Sequence, residues 1–142
     1  MSSSNISAKL RRQVAQKFHG RCAYCQSQEV NSGMQFTIDH IIPDSLGGPT
    51  KLANLCLCCW DCNLIKQNRI AGVDPQTNQE HPLFNPSEQS WSDHFEWIND
   101  GLLVLGKTAV GRATVHLLRL NRPILLQARK RWIAVGWHPP SD

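Results

Sequence analysis

No stretch of this chain reaches the ~20 consecutive apolar residues that a membrane-spanning helix needs, and its opening, MSSSNISAKLRRQ, contains no apolar h-region. A secreted or membrane-spanning protein is therefore not expected, and a cytoplasmic one is. Cysteine is absent after Cys62, and all six cysteines fall between Cys22 and Cys62. Without an export signal, such a cluster reads as metal ligands before disulfides. Residues 1–27 lack any acid, residues 74–100 lack any Lys or Arg, and residues 101–142 carry one acid, Asp142. Internal repeats and low-complexity tracts are missing too. With 142 residues, 41% of them hydrophobic and 18% charged, the chain fits one domain or a small core with an appended piece, and excludes wholesale disorder.

What is present begins with a basic N-terminal stretch. Leu10, Val14 and Phe18 recur every four residues and predict a short amphipathic helix, which His19-Gly20 would end. Gln35 to Ile42 (QFTIDHII) is β-branched and aromatic and predicts a strand; Pro43 to Pro49 reads as a loop. Leu55–Cys58 reads as a second short strand and Trp60–Arg69 as a helix. Gly72 to Pro86, with three prolines, is expected to be an ordered loop or linker. Trp91, Phe95 and Ile98 suggest a short helix. Gly111–Leu120 and Arg122–Val135 suggest two more, the last with Asn121 as N-cap and Pro123 in the first turn.

Cys22-Ala-Tyr-Cys25 and Cys59-Trp-Asp-Cys62 are two CxxC units separated by residues 26–58. Zn²⁺ takes four ligands in a tetrahedron, and one tight CxxC turn supplies two. Cys56 and Cys59 form a competing CxxC. The Cys59/Cys62 pairing is preferred because it brackets the start of the expected helix, leaving Cys56 and Cys58 as small buried hydrophobes. Trp60 is expected to pack against the zinc turn.

Between the knuckles lie Asp39-His40 at a strand end, Gly47-Gly48, and Asn54-Leu55; Asn63 and Lys66 follow the last cysteine. Imidazole titrates close to physiological pH, so a histidine can take a proton from water. A divalent ion beside a carboxylate can neutralise charge on a phosphate and its leaving oxygen. Over about residues 7–70, Cys22-x-x-Cys25, Ile38-Asp39-His40-Ile41-Ile42-Pro43, Gly47-Gly48, Asn54-Leu55 and Cys59-x-x-Cys62-Asn63-x-x-Lys66 together resemble the HNH endonucleases, a ββα-metal family.

That resemblance implies His40 as general base and Asp39 and Asn63 as ligands of a catalytic Mg²⁺ or Mn²⁺, separate from a structural Zn²⁺ at Cys22, Cys25, Cys59 and Cys62. It implies that Asn54 holds the loop and orients the His40 backbone, and Lys66 is expected to contact phosphate. The expected activity is metal-dependent hydrolysis of DNA to a 5′-phosphate and a 3′-hydroxyl, with RNA left open as a substrate. The rival reading is a zinc-knuckle nucleic-acid-binding module that does not cleave.

The expected fold is α+β, a ββα HNH core (residues 1–72) stapled by the four-cysteine zinc site. It is expected to pack against a mostly helical, basic extension (residues 73–142). The run His81 to Pro86, with Trp91, His94, Phe95, Trp97, Gly111 to Val115 and Asn121-Arg122, resembles an extension of bacterial, notably cyanobacterial, HNH proteins. Ser87 stands where that group tends to carry a basic residue. Arg112, Arg119, Arg122, Arg129, Lys130 and Arg131 are expected to face outward and bind phosphate.

Overall fold

The computed structural model describes residues 6–141 as two units. The first comprises the chain up to Ile70 together with Asn85–Gln89; the second comprises Ala71–Phe84 and the residues from Ser90 onward. No helix among the described residues is long and apolar enough to cross a membrane.

In the first unit, Ser7 caps α1 (Ala8–Lys17) by accepting from the Leu10 amide at 3.1 Å. The helix buries Val14 and turns Lys9, Arg11, Arg12 and Lys17 to solvent. His19 and Gly20 end it at φ of 56° and 68°, as expected. After the first knuckle comes α2 (Glu29–Ser32), which Gly33 terminates in the left-handed region. Strand β1 (Thr37–His40) pairs antiparallel with β2 (Leu55–Cys58), placing Asp39 opposite Cys56 and His40 opposite Leu55. Both strands are buried along their whole length, with α1 packed against β2 and α3 (Trp60–Lys66) against β1. The helix stops short of the expected Arg69 because Gln67 takes a positive φ of 54°. This is the ββα arrangement, and the fold class is α+β. Asn85–Gln89 joins this unit, with Ser87 Oγ accepting from Lys17 Nζ at 3.1 Å.

The second unit departs from the expected loop and helices in three places. Residues 72–86 contain a hairpin, β3 (Ala71–Asp74) with β4 (Gln79–Pro82). β4 (QEHP) is polar and mostly exposed, and the one aliphatic side chain of β3 larger than alanine, Val73, is exposed, so no hydrophobic alternation marked them. The turn is built locally by Asp74, which accepts from the Gln76 amide and the Thr77 hydroxyl. The helix expected from Trp91 to Ile98 is only α4 (Trp91–His94); Phe95–Ile98 is strand β5, paired with β6 (Leu103–Gly106). The spacing of Trp91, Phe95 and Ile98 concealed a strand alternation in which Phe95 is buried and Glu96 exposed. Finally, Asn121 is not the cap of α6 (Pro123–Ala134). Its side chain accepts from Val104 N and donates to Val104 O, pinning β6, and Arg122 takes the cap position without a side-chain bond. The extension is thus two hairpins and two longer helices, α5 (Ala109–Leu118) and α6, rather than mostly helical. α5 packs on β3, β4 and β6 around Phe84, Phe95, Val104 and Leu118, and Thr114 accepts from the Phe84 amide. Gly111 is required there because a Cβ would meet the His94 carbonyl oxygen at 2.0 Å.

Candidate functional site

The sulfurs of Cys22, Cys25, Cys59 and Cys62 all lie within 4.8 Å of one another, with Cys25 and Cys59 Sγ 3.8 Å apart. Thiolates ~2.3 Å from a tetrahedral Zn²⁺ sit about 3.8 Å apart, so the group fits that ion. Cys59 Sγ also caps α3 by accepting from the Cys62 amide, as expected of a knuckle that ends at a helix start. Hydrogen bonds from Cys22, Cys59 and Cys62, in that order, hold the Cys25 thiol well below its usual range, whereas burial pushes Cys22 up. Cys59 and Cys62 are raised by their hydrogen bonds to Cys22 and Cys25. Four cysteine sulfurs brought this close, three of them buried, could hold a metal ion. Cys56 and Cys58 stay outside the group, which excludes the Cys56/Cys59 register; burial raises both, Cys58 to about 12, so both remain neutral thiols.

Asp39, His40 and Asn63 line one cavity of about 510 Å³ in the same unit. Pro43, Asp44 and Ser45 form part of its wall, and Trp60, Leu64, Gln67 and Asn68, on and just after α3, form another. No Lys or Arg lines it. Neighbouring strand residues point to opposite faces, yet both Asp39 and His40 reach this cavity because β1 ends at His40 and the chain turns there.

The turn is held by Asn54. Its Oδ1 accepts from the Ile42 amide at 2.9 Å, and its Nδ2 donates to the Ile42 and Pro49 carbonyls at 3.0 and 2.9 Å. The Asn54 carbonyl accepts from the Ile41 amide. Gly48 belongs to the same knot, since a Cβ would fall 1.8 Å from the Ile42 oxygen.

His40 is 4% exposed. Its Nε2 lies 2.9 Å from Thr50 Oγ1, while Nδ1 is buried without a hydrogen-bond partner. Asp39 is also buried, and Oδ2 meets Lys66 Nζ at 2.9 Å and the Tyr24 hydroxyl at 3.3 Å. Among the described residues no hydrogen bond or ion pair reaches Oδ1. Burial raises the Asp39 carboxyl above the usual carboxylate range, and Lys66 opposes that shift. Asn63 Nδ2 donates to Thr37 Oγ1 at 3.2 Å. A carboxylate and a side-chain amide lining one cavity offer the oxygen donors that a hard divalent ion takes.

Several expected phosphate contacts are corrected. Lys66 is 1% exposed, and its ammonium is spent on Asp39 and on the carbonyls of His40 and Ile41, so it does not face phosphate. Arg129 is fully buried, donating to the Leu102 and Leu120 carbonyls and Asn121 Oδ1 beside the Trp97 ring. Arg112 forms a two-point pair with Asp74. Arg122 is half-buried and donates to the Leu118 carbonyl. Arg119, Lys130 and Arg131 are exposed. Trp60 is half exposed, and its indole N–H donates to the Gln35 carbonyl at 3.1 Å.

Thr50, Thr37 and Tyr24, which position the three polar residues, went unrecognised in the sequence. A lone hydroxyl in a loop, a strand or a knuckle carries no spacing signal of its own.

A ββα unit with four cysteines that could hold a metal ion, and an acid, a histidine and an amide lining one cavity, is an α+β domain with a candidate metal site and a candidate reaction site. Residues 22–69, about a third of the chain, match the family model described as HNH endonuclease. The match points to a nuclease with a nucleic-acid substrate and does not reach residues 70–142. Searches of curated proteins and of solved structures found no match.

Proposed function

We propose that this protein is a metal-dependent endonuclease that hydrolyses phosphodiester bonds in DNA, with His40 as general base. The observation that carries this reading is the state of the His40 ring in a residue that lines the cavity: Nε2 lies against Thr50 Oγ1, and Nδ1 is buried without a hydrogen-bond partner. With Nε2–H donated to Thr50, Nδ1 bears the lone pair and takes a proton from water as that water attacks phosphorus. The P–O3′ bond breaks, leaving a 5′-phosphate and a 3′-hydroxyl.

Asp39 through Oδ1, together with Asn63, would hold the divalent ion, Mg²⁺ or Mn²⁺. When bound, that ion supplies charge neutralisation at the phosphate and the departing oxygen. The cavity needs such a charge, because its own lining offers two carboxylates, Asp39 and Asp44, and no cation. Asn54 keeps the turn after His40 closed, so the imidazole and the Asp39 carboxylate share one cavity. Zn²⁺ at the four cysteines is assigned a structural role.

The test is nicking of supercoiled plasmid in EDTA, Mg²⁺ and Mn²⁺, run beside His40→Ala. Metal-dependent nicking lost in His40→Ala is expected. Undiminished cleavage by that variant, in protein free of contaminating nuclease, would end the assignment. Plasmid binding without nicking in any metal would favour the non-cleaving module.

A further inference from the structure

The α3 side of the cavity has a chemistry that hydrolysis does not use. Trp60 and Leu64, one turn apart on α3, line the same cavity as His40 while remaining 50% and 67% exposed. Trp60 is tied through its indole N–H to the Gln35 carbonyl. That bond holds the N–H edge of the ring, and half of the residue's surface stays exposed. Further along the same wall come the amides of Gln67 and Asn68. Apolar surface beside amide donors and acceptors complements a nucleobase, which has a flat π face and an edge of hydrogen-bonding groups. It does not complement phosphate, for which the lining offers no Lys or Arg.

We infer that Trp60 and Leu64 form a nucleobase subsite, on which the base next to the scissile phosphate stacks after leaving its helical partner. This rests on the nuclease reading above and deepens it by naming the substrate class: nucleic acid with an unstacked base, as in single strands and bulges. A base in uniform duplex already spends its π faces on its neighbours, so reaching Trp60 requires unstacking it. An aromatic platform is tolerant of base identity, because every base has a π face. The subsite therefore selects for strand form and not for sequence.

The experiment measures fluorescence anisotropy of labelled single-stranded, bulged and uniform duplex oligonucleotides in Ca²⁺, with His40→Ala as the non-cleaving background. Trp60→Ala should weaken binding to the single strand and the bulge by about tenfold or more, the usual worth of a stacked base. Uniform duplex should change less than twofold. Trp60→Phe, which keeps a ring, should retain most of the affinity. Leu64→Ser, at a well-exposed position, should show a smaller loss with the same preference, and it guards against Trp60→Ala failing to fold; zinc content is checked for every variant. Equal loss on all three substrates, or no loss in the folded variants, overturns the subsite. A wild type that nicks plasmid through His40 while Trp60→Ala discriminates nothing overturns the subsite alone. A wild type that binds no nucleic acid overturns both readings.

Discussion

Lys66 Nζ lies 2.9 Å from Asp39 Oδ2, with both side chains almost wholly buried. The same ammonium reaches the carbonyls of His40 and Ile41, so its three protons have three acceptors on or just after β1. The pair joins the end of α3 to the point where the chain leaves the strand.

Breaking a buried pair by removing one partner leaves an uncompensated charge, at a cost of about 3–5 kcal/mol. Lys66→Met should therefore lower the urea-unfolding midpoint of the zinc-loaded protein markedly. Asp39→Asn combined with Lys66→Met should recover part of that loss, since neither charge then remains. An unchanged midpoint for Lys66→Met would show that the pair does not hold the strand end.

His40 and Thr50 give a graded test of catalysis. His40→Ala should lose about 10²–10⁴-fold in cleavage rate, the usual contribution of a positioned base. Its nucleic-acid affinity should hardly move. Thr50→Val removes the hydroxyl at Nε2 but keeps the side-chain volume, so it should lower kcat by less than His40→Ala and leave affinity unchanged. If Thr50→Val instead weakens binding at constant kcat, Thr50 serves the substrate and not the ring.

Zinc held by the four cysteines would be folding energy, because the sulfur group does not exist in the unfolded chain. Cys62→Ser should unfold or aggregate the protein, and prolonged chelation should do the same. Cys56→Ser should be milder, since Cys56 lies outside the sulfur group, although it is buried beside Tyr24 and Asp39. Metal analysis should return about one zinc per chain. Tolerance of Cys62→Ser with full zinc content would remove Cys62 from the ligand set.

How legible all this is in the sequence depends on the range of the interaction. The knuckles were legible because CxxC is a local turn, and β1 because QFTIDHII is a β-branched and aromatic run. The hairpin of β3 and β4 was not, because β4 is polar and mostly exposed, Val73 of β3 is exposed, and the turn is stabilised by the Asp74 side chain and not by a Gly signal. Arginine roles were the least legible. Arg129 and Arg131 stand two residues apart on α6, yet one is buried against distant carbonyls and the other faces solvent. Only the tertiary fold separates them. The neighbourhood of Asp39 and His40 was visible as a motif, but the hydroxyls that aim them, Thr50 and Tyr24, were not.

Asp74 and Arg112 set an acid limb of stability. Arg112 bonds both carboxylate oxygens, and that contact, with the Gln76 amide, holds the Asp74 carboxyl down at about 2. A carboxyl with a depressed folded value contributes stability that is fully present above its unfolded value of about 3.9 and is lost as pH falls through its folded value. The melting temperature should thus fall between about pH 4 and pH 2, and Asp74→Asn should lack this component. Parallel pH profiles of wild type and Asp74→Asn, offset by a constant, would rule it out.

The formal charge of +4 is divided unequally: the unit bearing the HNH match has eight Lys or Arg against five acids, and the other has seven against six. Of those seven, Arg129 is buried, Arg112 is paired with Asp74, and Arg122 bonds backbone carbonyls. On α1, Lys9, Arg11 and Arg12 all face solvent. Each phosphate contact releases condensed counterions, so log affinity falls with log salt at a slope of about −0.9 per contact on duplex DNA. Replacing Lys9, Arg11 and Arg12 with alanine should make that slope shallower by about two to three units. Replacing Lys130 and Arg131 should change it by less than about one. Both effects should be similar on all sequences, because phosphate contacts position a protein without reading bases. The measurement is a salt titration of duplex binding in Ca²⁺ with the His40→Ala background. A slope that responds to Lys130 and Arg131 but not to α1 would move the grip to the second unit, as the sequence alone had suggested.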